Sequence, residues 1–271
     1  MTDRGLRFPE DYTEAIKQAQ QGVAQALEDG HKLIEVEFPS ASLASVPGDA
    51  EGANEMTYSL GFLRKFLRVV QDRASAVRVF FPDEKELEIG RLGLGKAAPA
   101  GHDGEAVFGT ETSFQLDFLT QPTGLLDLGL DVRKVDVASK VAPSDEVLVI
   151  AYPHFNVNEM IAVNEMWQGA AQERGIPIIV FNGELDRIRS GYYPPLFYPK
   201  IGQLAKDFLP LFETAYYVHN FKGAQGGALF RVYPEPWQVF RRDQEGMRLV
   251  HTQDTMPSLK EVALNILPGR H

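Results

Sequence analysis

The chain has 271 residues, of which 44% are hydrophobic and 24% charged, and its formal net charge is −10. This is an ordinary globular composition for a chain long enough to bury a large core, and the acidic balance argues against free nucleic acid as a partner, because phosphate binding needs a basic surface. The absence of cysteine excludes disulfides, thiolate nucleophiles and cysteine metal sites.

The first part of the chain predicts a strand–helix–strand unit behind an opening helix. That opening helix covers residues 9–30, with Pro9 in its first turn. Residues 31–39 alternate apolar and charged side chains, as a half-buried strand does. Apolar residues at helical spacing indicate a helix over 53–73, and residues 75–82 form the next strand.

A second unit of the same kind follows farther along the chain. Residues 146–153 and 177–182 are short apolar runs, typical of strands that are covered on both faces, and residues 156–175 between them have helical periodicity. A helical connection between two buried strands implies parallel pairing through a right-handed crossover. Residues 112–122, ahead of this unit, alternate like a strand.

The C-terminal part predicts a change to antiparallel structure. A helix that begins at Lys200 and ends at Pro210 precedes four short strand candidates, and a helix closes the chain, with Ser258 and Glu261 spaced as a capping box. The strand candidates are residues 214–222, 227–234, 237–242 and 247–252. We therefore predict a single α/β domain over residues 1–271, with a three-layer, Rossmann-like, mostly parallel sheet and an antiparallel C-terminal edge.

The stretch YPHFNVNEM, residues 152–160, leaves one predicted strand and enters a helix. Small molecules bind α/β sheets at such carboxyl ends, where His154 can act as a base and the helix N-terminus can hold an anion. The alternative is structural, since Asn156 and Glu159 have the spacing of a capping box and would be occupied by the backbone. We prefer the structural interpretation.

The stretch FNGELDRIRSGYYPPLFYP, residues 181–199, leaves the neighbouring strand through a turn at Asn182 and Gly183. Its two acids and two arginines can form a catalytic set or a phosphate clamp, or can pair with each other. The aromatic residues behind them alternate with prolines and form a rigid surface, typical of protein-binding hot spots. Protein binding is preferred over catalysis here.

Other patterns predict no catalytic residue, no cofactor and no metal site. GRLGLGKA, residues 90–97, approaches a phosphate-binding loop, but Ala97 replaces the required hydroxyl and helix-breaking residues follow. The six histidines show no ligand spacing, and no G-x-S-x-G nucleophile elbow is present. The candidates for ligand or partner binding are Tyr152, His154, Asn156, Asn182, Glu184, Asp186, Arg187, Arg189, Tyr192, Tyr193 and Tyr198.

Three stretches carry a resemblance to a known family: AYPHFNVNEM, FNGELDRIRSGYYPPLFYPKIG and YVHNFKGAQGGALFRVYPEPWQVFRR. With the opening FPEDYTEAIKQAQQGVAQALEDG and the strand ending in FP, they resemble the plant, algal and cyanobacterial family that is labelled by an uncharacterised domain and typified by the chloroplast protein Low PSII Accumulation 3. The likeness spans residues 8–242, and the order of the segments carries its specificity. It implies a place in the chloroplast stroma or on the stromal face of the thylakoid, and a role in assembling photosystem II.

The main functional expectation is a non-enzymatic assembly or interaction factor, whose protein partners are photosystem II subunits or assembly factors. The alternative is an enzyme or binder for a small molecule or phosphate ligand, with its pocket at the carboxyl ends of strands 146–153 and 177–182. A third possibility is peripheral association with the thylakoid membrane through residues 192–199. No apolar run approaches the roughly 20 residues of a membrane span, and the N-terminal residues resemble neither a signal peptide nor a transit peptide.

Overall fold

The computed structural model describes residues 7–39, 43, 46, 53–94, 105–109, 112–122, 132–133, 135–154, 156–194, 196–223 and 225–269. Its α-helices are α1 (Tyr12–Glu28), α2 (Ala53–Phe66), α3 (Glu84–Leu92), α4 (Val157–Met166), α5 (Gln172–Arg174), α6 (Leu185–Arg189), α7 (Pro199–Gln203) and α8 (Leu259–Glu261), and 3-10 or π-helical turns extend several of them, such as Leu67–Ala76 after α2 and Val262–Ile266 after α8. Its strands are β1 (Leu33–Glu37), β2 (Val77–Phe81), β3 (Gln115–Phe118), β4 (Gln121–Pro122), β5 (Val132–Arg133), β6 (Val147–Ala151), β7 (Ile178–Phe181), β8 (Glu213–Phe221), β9 (Gly227–Val232), β10 (Trp237–Asp243) and β11 (Gly246–Gln253).

Within the described residues, nine strands form one sheet in the order β11-β10-β9-β8-β1-β7-β6-β2-β3. The six strands from β8 to β3 run parallel, and β9, β10 and β11 continue from β8 in antiparallel order. The predicted mixed α/β fold, with a mostly parallel sheet and an antiparallel C-terminal edge, is confirmed. β4 and β5 form a separate small antiparallel pair.

Helices cover both faces of the sheet, because alternate residues of each central strand point to opposite sides. On one face, α1 and α2 pack over strand residues such as Ile34 and Val36, which form the first core. On the other face, α4 and α7 pack over residues such as Leu33 and Val180, which form the second core. A third, smaller core lies beneath α8 and the antiparallel strands.

The helices that follow two neighbouring strands lie on opposite faces of the sheet, which creates a crevice at the carboxyl ends of these strands. β1 and β7 are parallel neighbours, yet α2, which follows β1, belongs to the first core, and α6, which follows β7, belongs to the second. In open α/β sheets, ligands bind where adjacent strands continue to opposite faces. The topology therefore directs attention to the exits of β1, β7 and their neighbour β6.

Three local predictions need correction. β1 is a central strand with Glu35 buried on its second face, rather than half-buried, because α6 and α7 cover that face too. α1 begins after the cap Asp11, whose side chain accepts a hydrogen bond from the Glu14 amide at 2.8 Å, so Pro9 precedes the helix. α3 and α6 are not among the predicted elements. No helix in the described ranges is both long and apolar enough to cross a membrane.

Candidate functional site

The exits of β6 and β7 are tight turns with unusual backbone angles. Tyr152, Asn182 and Glu184 have φ values of 37°, 50° and 46°, which place three non-glycine residues in the left-handed region. Such conformations are uncommon outside glycine and cost on the order of 1 kcal/mol or more each, so the surrounding contacts must hold them. Those contacts decide which predicted site residues remain available to a ligand.

Tyr152 lies in the first core and not on the surface of the exit. Its side chain is completely buried, and its ring meets the ring of Phe81 edge-on with the centroids 6.0 Å apart. The hydroxyl faces the carboxyl group of Glu86 on α3; burial and the nearby Asp83 raise the pKa of Glu86 to about 7. Burial likewise raises the pKa of Tyr152 well above its usual value.

Asn182 fills the crevice between β1 and β7. Its Oδ1 accepts a hydrogen bond from the Phe38 amide at 2.9 Å, and its Nδ2 donates to the Ser59 hydroxyl at 3.0 Å. The residue is buried, and asparagine is one of the few residue types that tolerate its positive φ. Asn182 therefore joins the end of β1 to α2, at strand exits of the kind where open α/β sheets commonly bind ligands.

His154 links the exits of β6 and β7, and Asn156 caps the start of α4. The Nδ1 of His154 lies 3.1 Å from the carbonyl oxygen of Asn182, which can only accept, so Nδ1 carries the proton. Burial lowers the pKa of His154 and keeps its ring neutral. The side chain of Asn156 caps α4 by accepting from the Asn158 amide at 2.9 Å, which confirms the predicted capping role; the Glu159 amide bonds to the backbone oxygen of Asn156 instead.

A buried network ties α6 to the centre of the sheet. Arg189 makes a bidentate ion pair with Glu35, with nitrogen to oxygen distances of 2.7 and 2.6 Å, and it contacts Asp186 at 3.4 Å. Thr214 on β8 donates its hydroxyl to Glu35 at 2.8 Å, and the Tyr217 hydroxyl donates to Asp186. We call these five residues the buried network. Within this network, the carboxylates of Glu35 and Asp186 have hydrogen-bond and ion-pair partners from the protein itself.

Glu37 adds another carboxyl group beside this network. It accepts a hydrogen bond from the Glu184 amide at 3.1 Å. Burial raises the pKa of Glu37 well above its usual range, and so do the carboxylates of Glu184, Glu35 and Asp186. Burial and the Glu35 carboxylate also raise the pKa of Asp186. Burial and the neighbouring carboxylates thus favour the protonated forms of Glu37 and Asp186.

The sequence interpretation missed Glu35, Glu37, Thr214 and Tyr217. One signal was present: acids at 35 and 37 are two residues apart in a strand, so they share a face. Their burial depends on β1 lying between β7 and β8, which the sequence pattern does not show.

Glu184 and Arg187 form a second ion pair, nearer the surface, through the Nε of Arg187 and a carboxylate oxygen of Glu184. About half of the Arg187 side chain, 48%, remains exposed. Together with the pairing of Asp186 and Arg189, this confirms the expected alternative in which the acids and arginines of this exit pair with each other.

A small cleft lies between the two exits and α4. Its wall combines apolar side chains with the polar groups of His154, Glu184 and Arg187, and its cavity volume is about 20 Å³. Typical ligand pockets have volumes of about 300–1,000 Å³. The full lining is Pro153, His154, Asn156, Val157, Met160, Gly183, Glu184, Arg187, Ile188 and Tyr193.

The residues after α6 present apolar side chains to solvent. Tyr192, Leu196 and Phe197 are 71%, 86% and 75% exposed, and Tyr198 is also exposed. We call these four residues the aromatic surface. Tyr193 anchors it: this ring packs against the second core and meets Tyr192 and Tyr198 edge-on, with centroid distances of 5.1 and 5.5 Å.

In the described part of the chain, no group of three or more acidic or histidine side chains is placed to hold a metal ion. A family model described as "Domain of unknown function (DUF1995)" matches residues 9–264. No curated protein matches the chain, and no solved structure does.

Proposed function

The chain belongs to the DUF1995 family, a family defined by a domain of unknown function, and from this premise we propose that it is a non-enzymatic interaction factor in the assembly of photosystem II. The photosystem assignment rests on the resemblance to the family typified by Low PSII Accumulation 3. It implies photosystem II subunits or assembly factors as partners, in the chloroplast stroma or on the stromal face of the thylakoid.

The aromatic surface is the observation that carries the proposal. Leu196 and Phe197 are among the most exposed large apolar residues of the described chain. Covering one such side chain contributes about 1.5–3 kcal/mol. Prolines at 194 and 199 and the edge-on rings around Tyr193 restrict the segment, so less conformational entropy is lost when a partner binds.

The neighbouring charged residues support an interaction role over catalysis. The buried network leaves its carboxylates bonded to Arg189, Thr214 and Tyr217, and Glu184 is paired with Arg187. Groups that are bonded to each other stabilise the fold and the position of α6, from which the aromatic surface follows directly.

Affinity capture from detergent-solubilised thylakoid membranes tests the proposal. The wild-type protein should recover photosystem II subunits or their assembly factors, and the double variant Leu196→Ser/Phe197→Ser should lose them. The double variant Leu249→Ser/Leu264→Ser is the matched control, because both leucines are exposed elsewhere, at 45% and 54%. Capture of soluble metabolic enzymes alone, or equal losses in the two variants, would contradict the proposal.

A second candidate function is small-molecule binding in the cleft. The supporting observation is that the neutral imidazole of His154 and the guanidinium of Arg187 both line it, at strand exits where α/β proteins commonly bind ligands. A thermal-shift screen against nucleotides, phosphorylated metabolites and pigment precursors tests this. A stabilising compound whose effect disappears in Arg187→Met would favour it, and the absence of any shift would argue against it.

A further inference from the structure

Glu37 is the last residue of β1, and its carboxyl group connects this strand to the start of α6. It accepts a hydrogen bond from the Glu184 amide at 3.1 Å, and Glu184 directly precedes α6. The Glu184 side chain makes no capping hydrogen bond to this helix, and its backbone has a positive φ of 46°. The carboxyl group of Glu37 therefore contacts the backbone at the position where the chain enters α6.

Glu37 differs from the carboxyl groups around it, because it has no ion pair among the described residues. Each of the three neighbouring acids has an arginine as its partner. A negative charge on Glu37 would thus be added where both arginines already pair with other carboxylates. The existing pairs are Glu35 and Asp186 with Arg189, and Glu184 with Arg187.

The titratable groups that face Glu37 come from each element around it. Burial raises the pKa of Glu37 well above its usual range, and the carboxylates of three of these groups raise it further. The proton is therefore retained while α6 is docked. The facing groups are Glu35 on β1 itself, Glu184 at the exit of β7, Asp186, Arg187 and Arg189 on α6, and Tyr217 on β8.

The short helix α6 lies between this carboxyl group and the aromatic surface. Leu185 and Ile188 hold it in the second core, and Tyr192 of the aromatic surface follows three residues after its last residue. When α6 moves away from the sheet, the carboxyl group of Glu37 becomes hydrated and its pKa returns toward the ordinary value of 4.5. Release of α6 is thus coupled to release of a proton.

We propose that Glu37 is a pH-sensitive switch for the position of α6: its protonated carboxyl group allows α6 to dock on the sheet, and its ionised form loosens α6 together with the aromatic surface that follows. The docked state binds the proton more tightly, so docking weakens as the pH rises from 4.5 toward the raised pKa of Glu37. This inference rests on the proposed function, because it specifies how the surface used by that function is regulated.

Hydrogen exchange of the α6 amides, measured by mass spectrometry on the intact protein, tests the switch. In the wild type, the protection factor, which is corrected for the intrinsic effect of pH on exchange, should fall by about tenfold from about pH 6 to about pH 8, because opening releases one proton. Glu37→Gln has a side chain of the same shape that does not ionise. Its α6 protection factor should be independent of pH.

Glu86→Gln is the matched control, because Glu86 is a carboxyl group with a raised pKa on α3, which packs on the first core. Its α6 protection should depend on pH as in the wild type. The amides of α4 should remain better protected than those of α6 at every pH, since the opening is local. A constant α6 protection factor in the wild type, an equal fall in Glu37→Gln, or equal protection of α4 and α6 would each overturn the inference.

A second measurement decides the matter if Glu37→Gln does not fold. In Glu86→Gln labelled with ¹³C at the glutamate Cδ atoms, one glutamate signal should titrate well above 4.5, over the same pH range in which α6 loses protection. The inference is wrong if every glutamate signal titrates near 4.5.

The outcomes separate this inference from the proposed function, because hydrogen exchange needs no partner. If α6 protection depends on Glu37 as described but no photosystem protein is captured, the switch stands and the photosystem assignment is wrong. If capture depends on Leu196 and Phe197 while α6 protection does not depend on Glu37, the proposed function stands and the switch is wrong.

Discussion

The buried network and the aromatic surface differ in their exposure to solvent, although Arg189 of the network lies close in the chain to the aromatic surface. Arg189 is enclosed by Glu35 and Asp186, whereas Phe197, eight residues later, is 75% exposed. Arg189 and Phe197 both follow β7, and both regions contain predicted binding residues. Charged residues at a strand exit that find partners within the fold contribute to its stability, and apolar residues that find none are available for association.

The largest expected effect concerns Arg189 in the buried network. Arg189→Met leaves the Glu35 and Asp186 carboxylates without their counter-charge, so we expect the free energy of unfolding to fall by about 3 kcal/mol or more. Arg187→Met, two residues away and half-exposed, should cost less than about 1 kcal/mol. Urea denaturation of both variants at neutral pH measures the difference. Equal losses of unfolding free energy would contradict the prediction that the buried Arg189 stabilises the fold more than the half-exposed Arg187 does.

The next effect concerns the two asparagines at the strand exits. Asn182→Ala leaves the buried Phe38 amide without its acceptor and places alanine at a positive φ, so we expect a loss of about 2–3 kcal/mol. Asn156→Ala removes only a helix cap and should cost about 1 kcal/mol. Thermal denaturation followed by circular dichroism compares them. A larger loss for Asn156 would show that the crevice between β1 and β7 is not closed by Asn182.

A pH-dependent effect follows from Glu86, which lies beside Tyr152 at the exit of β6. The folded protein holds the Glu86 proton up to a pKa of about 7, whereas the unfolded chain releases it near the ordinary value of 4.5. The folded state therefore binds more protons between these values, so its stability falls as the pH rises through this window.

The variant Glu86→Gln lacks this pH dependence of stability, because a glutamine side chain does not ionise. The unfolding free energy of the wild type relative to Glu86→Gln should fall by on the order of 1 kcal/mol from about pH 5 to about pH 8. Burial lowers the pKa of His219 to about 4, but His219 is present in both proteins and its effect cancels in the difference. A constant difference across this range would show that Glu86 ionises as an exposed carboxyl group does.

The smallest effect on stability is expected at the aromatic surface. Phe197→Ser removes an exposed ring and should change the unfolding free energy by less than about 0.5 kcal/mol, because few contacts are lost. Urea denaturation checks this value, and the affinity capture described above should nevertheless show a clear loss with the Leu196→Ser/Phe197→Ser pair. A destabilisation comparable to that of Arg189→Met would mean that Phe197 is part of the core.

Much of the fold could be predicted, because the sequence patterns that indicate its strands and helices involve residues close together in the chain. The apolar runs of β6 and β7, the helical spacing of α4 and the cap at Ser258 depend on residues close in the chain. α3 was missed because its sequence, EKELEIGRL, has few apolar residues at helical spacing and runs into a glycine-rich stretch. The candidate site residues do follow β6 and β7 as predicted, but their contacts could not be assigned from the sequence.

Those roles depend on contacts between residues far apart in the chain. Arg189 and Glu35 are separated by 154 positions, and Thr214 and Glu35 by 179. The sequence by itself determined most of the strands and helices, though not α3, α6 or β5, and it also determined the proline-restricted aromatic segment, since hydrophobic periodicity and turn chemistry act over short distances. Only the tertiary structure decided that β1 lies between β7 and β8, because strand order depends on packing of the whole chain. That placement buries Glu35, encloses Arg189 and leaves the aromatic surface as the part of this exit that remains open to a partner.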